Sequence, residues 1–337
     1  MDEHDRADTK EHSAESTDSG GDSLLTVIIA FVANLLVAIA KTVAAVLTGS
    51  AAMVAEAAHS WADTGNEIFL IIAERRGGKP ADAEHPLGHG REAYVWSMFA
   101  AFGLFSVGSA VSIWHGIQSL TADESETSYL VGYIALGVSA LFEGFSFIQS
   151  VRQARGRALV LRRHTVDYVM NGSNPTLRAV FAEDAAALIG IAIALLAMAL
   201  HQITGIAAFD AIGSILVGVL LGIVAVVLMD RNRRFLVGET VSPAVRDDLL
   251  ASMLENPAIA SVSYLHIEFV GAGRVYVVAA VDLTGDDRES ALAVRLREAE
   301  VELERLRMIQ EVVLTPSAPG REPLKFGSTD TGPEQLS

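Results

Sequence analysis

A histidine and an aspartate, His59 and Asp63, stand four residues apart inside an otherwise apolar stretch, SAAMVAEAAHSWADTGNEIFLIIA. On a helix, residues i and i+4 share a face, so the imidazole and the carboxylate point the same way. Glu67 continues that face one turn later, and Glu56 lies just off it one turn earlier. Ionisable groups at membrane depth cost several kcal/mol unless something compensates them. Nitrogen and oxygen ligands one turn apart suit a divalent metal such as zinc. The competing reading is a set of buried groups that satisfy one another. Two glutamates flanking the pair favour the metal, and transport of that metal is the use that fits such a depth.

A second acidic point is Glu183-Asp184, in TLRAVFAEDAAALIGIAIALLAMAL. Adjacent helical residues lie about 100° apart, so the two carboxylates cannot both face one point. Asp184 is expected to face the His59 helix, because Ala185 to Ala187 and Gly190 permit close helix approach. Glu183 then gives a further oxygen or bonds a neighbouring helix. Polar loop residues form a third group: Asp82, His85 and His89, in DAEHPLGHGR. Pro86, Gly88 and Gly90 make this a loop. Two histidines and an aspartate within eight residues either hold a second metal or are ordinary exposed loop side chains. Among the weaker candidates, Asn34 lines the site or bonds across helices, Lys41 snorkels outward, and Glu143 and Asp210 line the pathway.

The elements that position these residues are apolar stretches of spanning length, about 20 residues each. They fall at roughly 24–47, 50–73, 93–115, 129–150, 178–200 and 208–229. The first two are joined only by Thr48-Gly49, which predicts a tight hairpin. Of the 337 residues, 51% are hydrophobic, as in a membrane protein with a soluble appendage. Cysteine is absent, so disulfides and thiolate metal sites are excluded. The formal net charge of −16 excludes nucleic acid as a partner. Nothing at the N-terminus resembles a signal peptide.

Arg75, Arg76, Lys79 and Arg91 lie between the second and third spans, Arg152, Arg155, Arg157, Arg162 and Arg163 between the fourth and fifth, and Arg231, Arg233 and Arg234 after the sixth. The opposite connections carry no Lys or Arg, which places both termini in the cytoplasm. With no organelle-targeting pattern, a multi-pass protein of the cell membrane is expected. After residue 236 the pattern changes to helix, two strands joined by Gly271-Ala272-Gly273, a charged helix and a last strand. That order predicts a small two-layer α+β domain. The resulting plan is an acidic disordered tail at 1–22, a membrane domain at 23–235, an α+β domain at 236–316 and a disordered tail at 317–337.

Taken together, GSAAMVAEAAHSWADTGNE, HPLGHGREAYVWS, AEDAAALIG and the α+β domain resemble the cation diffusion facilitators, in the branch with a Glu-Asp pair in the fifth helix. The resemblance runs from about Leu24 to Pro316. It implies an α-helical membrane protein with six transmembrane helices, followed by a small α+β ferredoxin-like cytosolic domain. It also implies a homodimer that exports a divalent metal, zinc by preference, in exchange for protons, with no cofactor beyond the transported ion. In such proteins the transport site pairs a His/Asp-x-x-x-Asp of the second helix with a similar pair in the fifth. His59, Asp63 and Asp184 match; the fourth position is Val180, which cannot bind metal. Glu183, Asn34, Glu67 or a water then completes the site. Fewer nitrogen ligands harden the site toward manganese, iron or cobalt. Asp82, His85 and His89 match a second metal site of some members. In the α+β domain only His266, Glu268 and Asp282 are available, too few for the metal cluster that many members carry there. Two alternatives from other classes remain: an intramembrane metal hydrolase, which lacks an HExxH pattern, and a non-transporting partner subunit or metal sensor.

Overall fold

A computed structural model describes residues 31–32, 34–121, 129–160, 164–285, 288–318 and 320–327. The acidic tail 1–22, the start of the first span, Arg162, Arg163 and the chain from 328 onward lie outside the described residues. The described residues before Phe69, with those of Ala100–Arg152 and Phe181–Val226, form one compact unit. Those of Phe69–Phe99, Gln153–Val180 and from Val227 onward form a second.

In the first unit, helix α1 (Asn34–Thr48) meets α2 (Ala51–Gly77) through a tight turn. Gly49 adopts φ 65°, a conformation that only glycine takes without strain, and its N–H donates to Ala45 O at 2.9 Å. Ser50 caps α2 by accepting from Met53 N at 3.1 Å. Asp210 joins it, accepting from Ser50 Oγ at 2.7 Å and from the Ala51 and Ala52 N–H groups. Asp210, expected to line the pathway, is instead engaged at the positive end of α2, where free backbone donors attract a carboxylate.

Four further long helices contribute residues to both units. These are α3 (Glu92–Ser119, with a π turn at Ala101–Phe105), α4 (Tyr129–Val160), α6 (Pro175–Thr204) and α7 (Ala208–Val237). All four are long and apolar enough to cross a membrane. Helix α2 is long enough too, but Glu56, Asp63 and Glu67 interrupt its apolar run. Leu130, Leu141, Phe145, Leu196 and Ile203 are exposed, an apolar outer surface suited to lipid. The fourth helix passes the expected end near 150 because SVRQARGRALV is rich in good helix formers. Arg152 and Arg155 are thus helical. A short helix α5 (Thr165–Asn171), not expected from the sequence, precedes α6.

In the second unit, α8 (Pro243–Glu255) starts on the proline, which needs no hydrogen-bond partner there. Strands β1 (Ile259–Gly271) and β2 (Arg274–Leu283) pair antiparallel around a two-residue turn in which Gly273 has φ 70°. Helix α9 (Glu289–Leu303) then carries the chain across to β3 (Ile309–Pro316), parallel to β2, in the sheet order β1-β2-β3. Val275, Val277, Ala279, Val281 and Leu283 are all buried, the period-two pattern of a strand with one face inward. They pack with Leu249, Leu250 and Met253 of α8 and Leu303 of α9.

Helix ends in this unit gather around Arg178, which is 0% exposed. Its guanidinium donates to Gly172 O at 2.6 Å and to Asn232 Oδ1 at 3.1 Å, and lies 5.0 Å from the Phe235 ring centre. Tyr94 stacks on Phe235 at 5.1 Å and donates to Ser173 O at 2.7 Å; Phe269 of β1 meets Phe235 edge-on at 5.5 Å. Arg91 pairs with Glu268, also on β1.

Candidate metal centre

Helix α2 carries the His59–Asp63 pair into the interior of the first unit, at 0% and 5% exposure. His59 Nε2 lies 3.3 Å from Asp63 Oδ2, without the alignment of a hydrogen bond. Neither imidazole nitrogen, nor Asp63 Oδ1, nor Glu67 Oε2 has a hydrogen-bond partner among the described residues. A buried polar atom left so costs about 1–3 kcal/mol. His59 and Asp63 set an imidazole nitrogen and a carboxylate oxygen one helical turn apart in a dry interior, and that pairing is the chemistry of a divalent-metal site.

Neighbouring helices complete the surroundings. Asn34 of α1 donates to Glu67 Oε1 at 2.7 Å, so these two hold each other. Asn66 of α2 donates to Glu183 of α6. Ser146 of α4 donates to Asp184, 2.9 Å and 3.1 Å from its two oxygens. The hydrogen bond onto α2 is thus made by Glu183, while Asp184 bonds α4 and stands within electrostatic reach of Asp63, Glu67 and Glu143. Glu143 of α4 is in turn within reach of Asp63, His59, Lys41 and Glu56. Asn66 and Ser146 escaped the sequence reading. Each follows an acidic residue by three positions, Asp63 and Glu143, and that helical spacing was the available signal.

Lys41 departs from expectation most clearly. It does not snorkel: it is 1% exposed, with Nζ 3.1 Å from Glu56 Oε2. A lysine well inside a span, with a carboxylate on the adjoining helix of a tight hairpin, can neutralise its charge internally.

In the second unit, the loop between α2 and α3 brings Asp82, His85 and His89 together, each offering a ligand atom within 4.8 Å of the others. Asp82 Oδ1 accepts from the N–H groups of Glu84 and His85 at 2.9 and 2.8 Å, which folds the loop over the carboxylate. His89 Nε2 lies 2.8 Å from Asp82 Oδ2, and its Nδ1 lies 2.8 Å from Glu92 Oε1. The His85 and His89 rings stand 3.9 Å apart. Gly90 permits this fold, because a Cβ there would collide with the Val270 carbonyl and stand 2.7 Å from Gly271 Cα. The His89 hydrogen bond, then that of the His85 N–H, holds the Asp82 carboxyl well below the usual carboxylate range. Hydrogen bonds to Asp82 and Glu92 raise the His89 imidazole above its ordinary value.

In the sheet, His266 Nε2 lies 3.7 Å from Glu268 Oε2. Asp282 pairs with Ser261, five positions along β1 from His266, so these three residues are not gathered.

Comparison with known proteins decides the family. Residues 27–237 match the model of the cation efflux transmembrane domain, well over half of the chain. The chain belongs to the cation efflux family. Two similar members are metal tolerance protein C4 of Arabidopsis thaliana, 32% identical over 71% of this chain and 52% of its own length, and the human mitochondrial proton-coupled zinc antiporter SLC30A9, 32% identical over 77% of this chain and 46% of its own. A shorter match, 34% identical over 29% of this chain and 32% of the other, is to the magnetosome protein MamM of Magnetospirillum gryphiswaldense. The chain spans about half the length of the curated relatives it matches first. As a cation efflux protein with helices of membrane-crossing length, it is a membrane protein, and its buried donor set lies within the region matched by the family model.

Proposed function

We propose that this chain exports a divalent metal, zinc first, from the cytoplasm in exchange for protons. In this reading six transmembrane helices span roughly 23–235, a ferredoxin-like cytosolic domain spans 236–316, both termini are cytoplasmic and two copies associate. His59, Asp63 and Asp184 hold the metal in transit, with Glu183 as the further oxygen in place of Val180. The observation that carries the reading is the set of unpartnered buried atoms on α2: both nitrogens of His59, Asp63 Oδ1 and Glu67 Oε2. The human relative's description as a proton-coupled zinc antiporter supports both the ion and the exchange.

The mechanism follows from competition. A dry cluster of acids cannot carry its charge alone. Either a metal or protons neutralise it, because both bind the same lone pairs. Open to the cytoplasm, the cluster exchanges protons for metal; open to the outside, protons displace the metal. His59 supplies nitrogen, and Asp63 and Asp184 supply charge. Glu67 stays tied to Asn34, and Ser146 orients Asp184. With a single nitrogen ligand the site also accommodates manganese, iron or cobalt.

Uptake into proteoliposomes under an imposed pH gradient tests this, with Zn²⁺, Mn²⁺, Co²⁺, Fe²⁺ and Cd²⁺ offered to wild type and Asp184→Ala. Gradient-driven flux that the variant loses is expected, with zinc leading. Folded wild-type protein that moves no metal would favour a partner subunit or sensor instead.

We also propose that Asp82, His85 and His89 hold a second metal. His89 titrates above its ordinary value, so a metal taking its nitrogen must expel a proton. Below that pH affinity should fall about tenfold per pH unit; above it the dependence should vanish. Titration calorimetry on the Asp63→Ala background isolates this loop. Affinity that rises as pH falls, or that survives His89→Gln unchanged, would remove the site.

A further inference from the structure

Glu67, Glu183 and Asp184 are each held by a neutral donor: Asn34, Asn66 and Ser146. Glu56 is held by a cation instead. Its Oε2 meets Lys41 Nζ at 3.1 Å, with the two side chains 0% and 1% exposed. Its Oε1 is buried without a hydrogen bond, and so is His59 Nδ1, on the opposite edge of the ring from Asp63. Both atoms face the same place on α6. A Cβ on Gly190 would stand 2.5 Å from Glu56 Oε1 and 3.8 Å from His59 Nδ1. The missing side chain of Gly190 therefore lets a carboxylate oxygen and an imidazole nitrogen approach the same point of α6. Glu56 precedes His59 by three residues, so this place lies about one turn nearer the Gly49 hairpin than the His59–Asp63 pair.

We propose that Glu56 and His59 Nδ1 form a second cation station, and that Lys41 is its resident cation, displaced from Glu56 by a divalent metal passing toward the α1–α2 hairpin. The proposal rests on the transporter reading above. Its logic is one of depth. A carboxylate and an imidazole in a dry interior would hold a divalent ion tightly, whereas conduction requires binding weak enough to leave. A tethered ammonium corrects this in two ways. It repels the arriving metal, and from Oε2 it competes for the charge of the same carboxylate. The charged and titratable groups facing the station are Lys41 on α1, Glu56, His59 and Asp63 on α2, and Glu143 on α4. Lys41 is the one amine among them. Arginine would not serve as well: its rigid fork would clamp the carboxylate instead of yielding it.

A purely structural ion pair behaves differently. Replacing both partners of such a pair by neutral residues is often without penalty, while removing one is destabilising. The test uses the full chain with Zn²⁺ as the probe. Equilibrium binding and proteoliposome flux are measured for wild type, Lys41→Met, Glu56→Gln and the double variant. Lys41→Met is expected to bind zinc about tenfold more tightly and to transport it about tenfold more slowly, because the station becomes a trap that the ion leaves reluctantly. Glu56→Gln is expected to slow flux by a similar factor with affinity unchanged, and the double variant to combine slow flux with wild-type affinity. A double variant with wild-type flux would overturn the station and leave a structural pair. Unchanged or weakened binding in Lys41→Met would overturn it too. If Lys41→Met fails to fold, the double variant decides. Failure of the station leaves wild-type flux and its dependence on Asp63 intact, whereas a wild type that moves no metal defeats the transporter reading itself.

Discussion

Asp63→Ala is expected to abolish metal uptake while the protein stays folded. Residues that merely orient metal ligands cost 10- to 100-fold when lost, so a direct ligand should cost about 100-fold or more. Folding should survive for a physical reason. Asp63 is 5% exposed and stands among Glu67, Glu143 and Asp184, so its removal relieves like-charge crowding, and alanine is the best helix former. Size-exclusion chromatography and thermal unfolding in detergent, run beside the flux assay, separate the two effects. An unfolding temperature equal to or above that of wild type with flux gone is the expected pair of results. Undiminished flux would sink the transport site, and so would loss of flux explained by loss of fold.

Arg178→Ala should have the opposite signature, a large loss of stability in the second unit. The guanidinium is 0% exposed and serves three partners at once: Gly172 O, Asn232 Oδ1 and the Phe235 ring. Hydrogen bonds from a charged group contribute about 1.5–3 kcal/mol each, and a cation over an aromatic face contributes further. A loss of about 3–5 kcal/mol is therefore expected, because truncation also leaves the Gly172 carbonyl and Asn232 side chain unpaired. Arg178→Lys should recover little, since a single ammonium cannot address partners in two directions. Thermal unfolding and limited proteolysis of the 164–175 segment measure this. An unfolding temperature within a degree or two of wild type would show that these contacts are incidental.

How far the sequence could be read depended on the range of the interaction concerned. Periodicity is a local property, and it sufficed for α2, for the buried alternation of β2, and for the order of helices and strands after residue 236. The i,i+4 spacing of His59 and Asp63 was enough to place them on one face of α2, because a helix settles that by itself. In the loop, Asp82, His85 and His89 are close in sequence, so short spacing already made their gathering plausible. Contacts between helices depend on distances that spacing does not contain. Val180 is aliphatic, and nothing local says what stands in for it.

The sequence by itself determined the helical pattern, the acidic and histidine donors within it, the α-β-β-α-β order of the last part of the chain and the family that these motifs resemble. Only the tertiary structure decided the partners. Asp210 caps α2 because α7 begins beside the hairpin, 160 residues away in sequence from Ser50. Glu183 reaches α2 through Asn66 while Asp184 turns to Ser146, a division set by how α6 is rotated against two neighbours. Lys41 is buried against Glu56, not extended to the interface, because the α1–α2 hairpin puts a carboxylate within its reach. A side chain's type is a local fact, but the atom that neutralises its charge belongs to another helix, and only packing brings the two together.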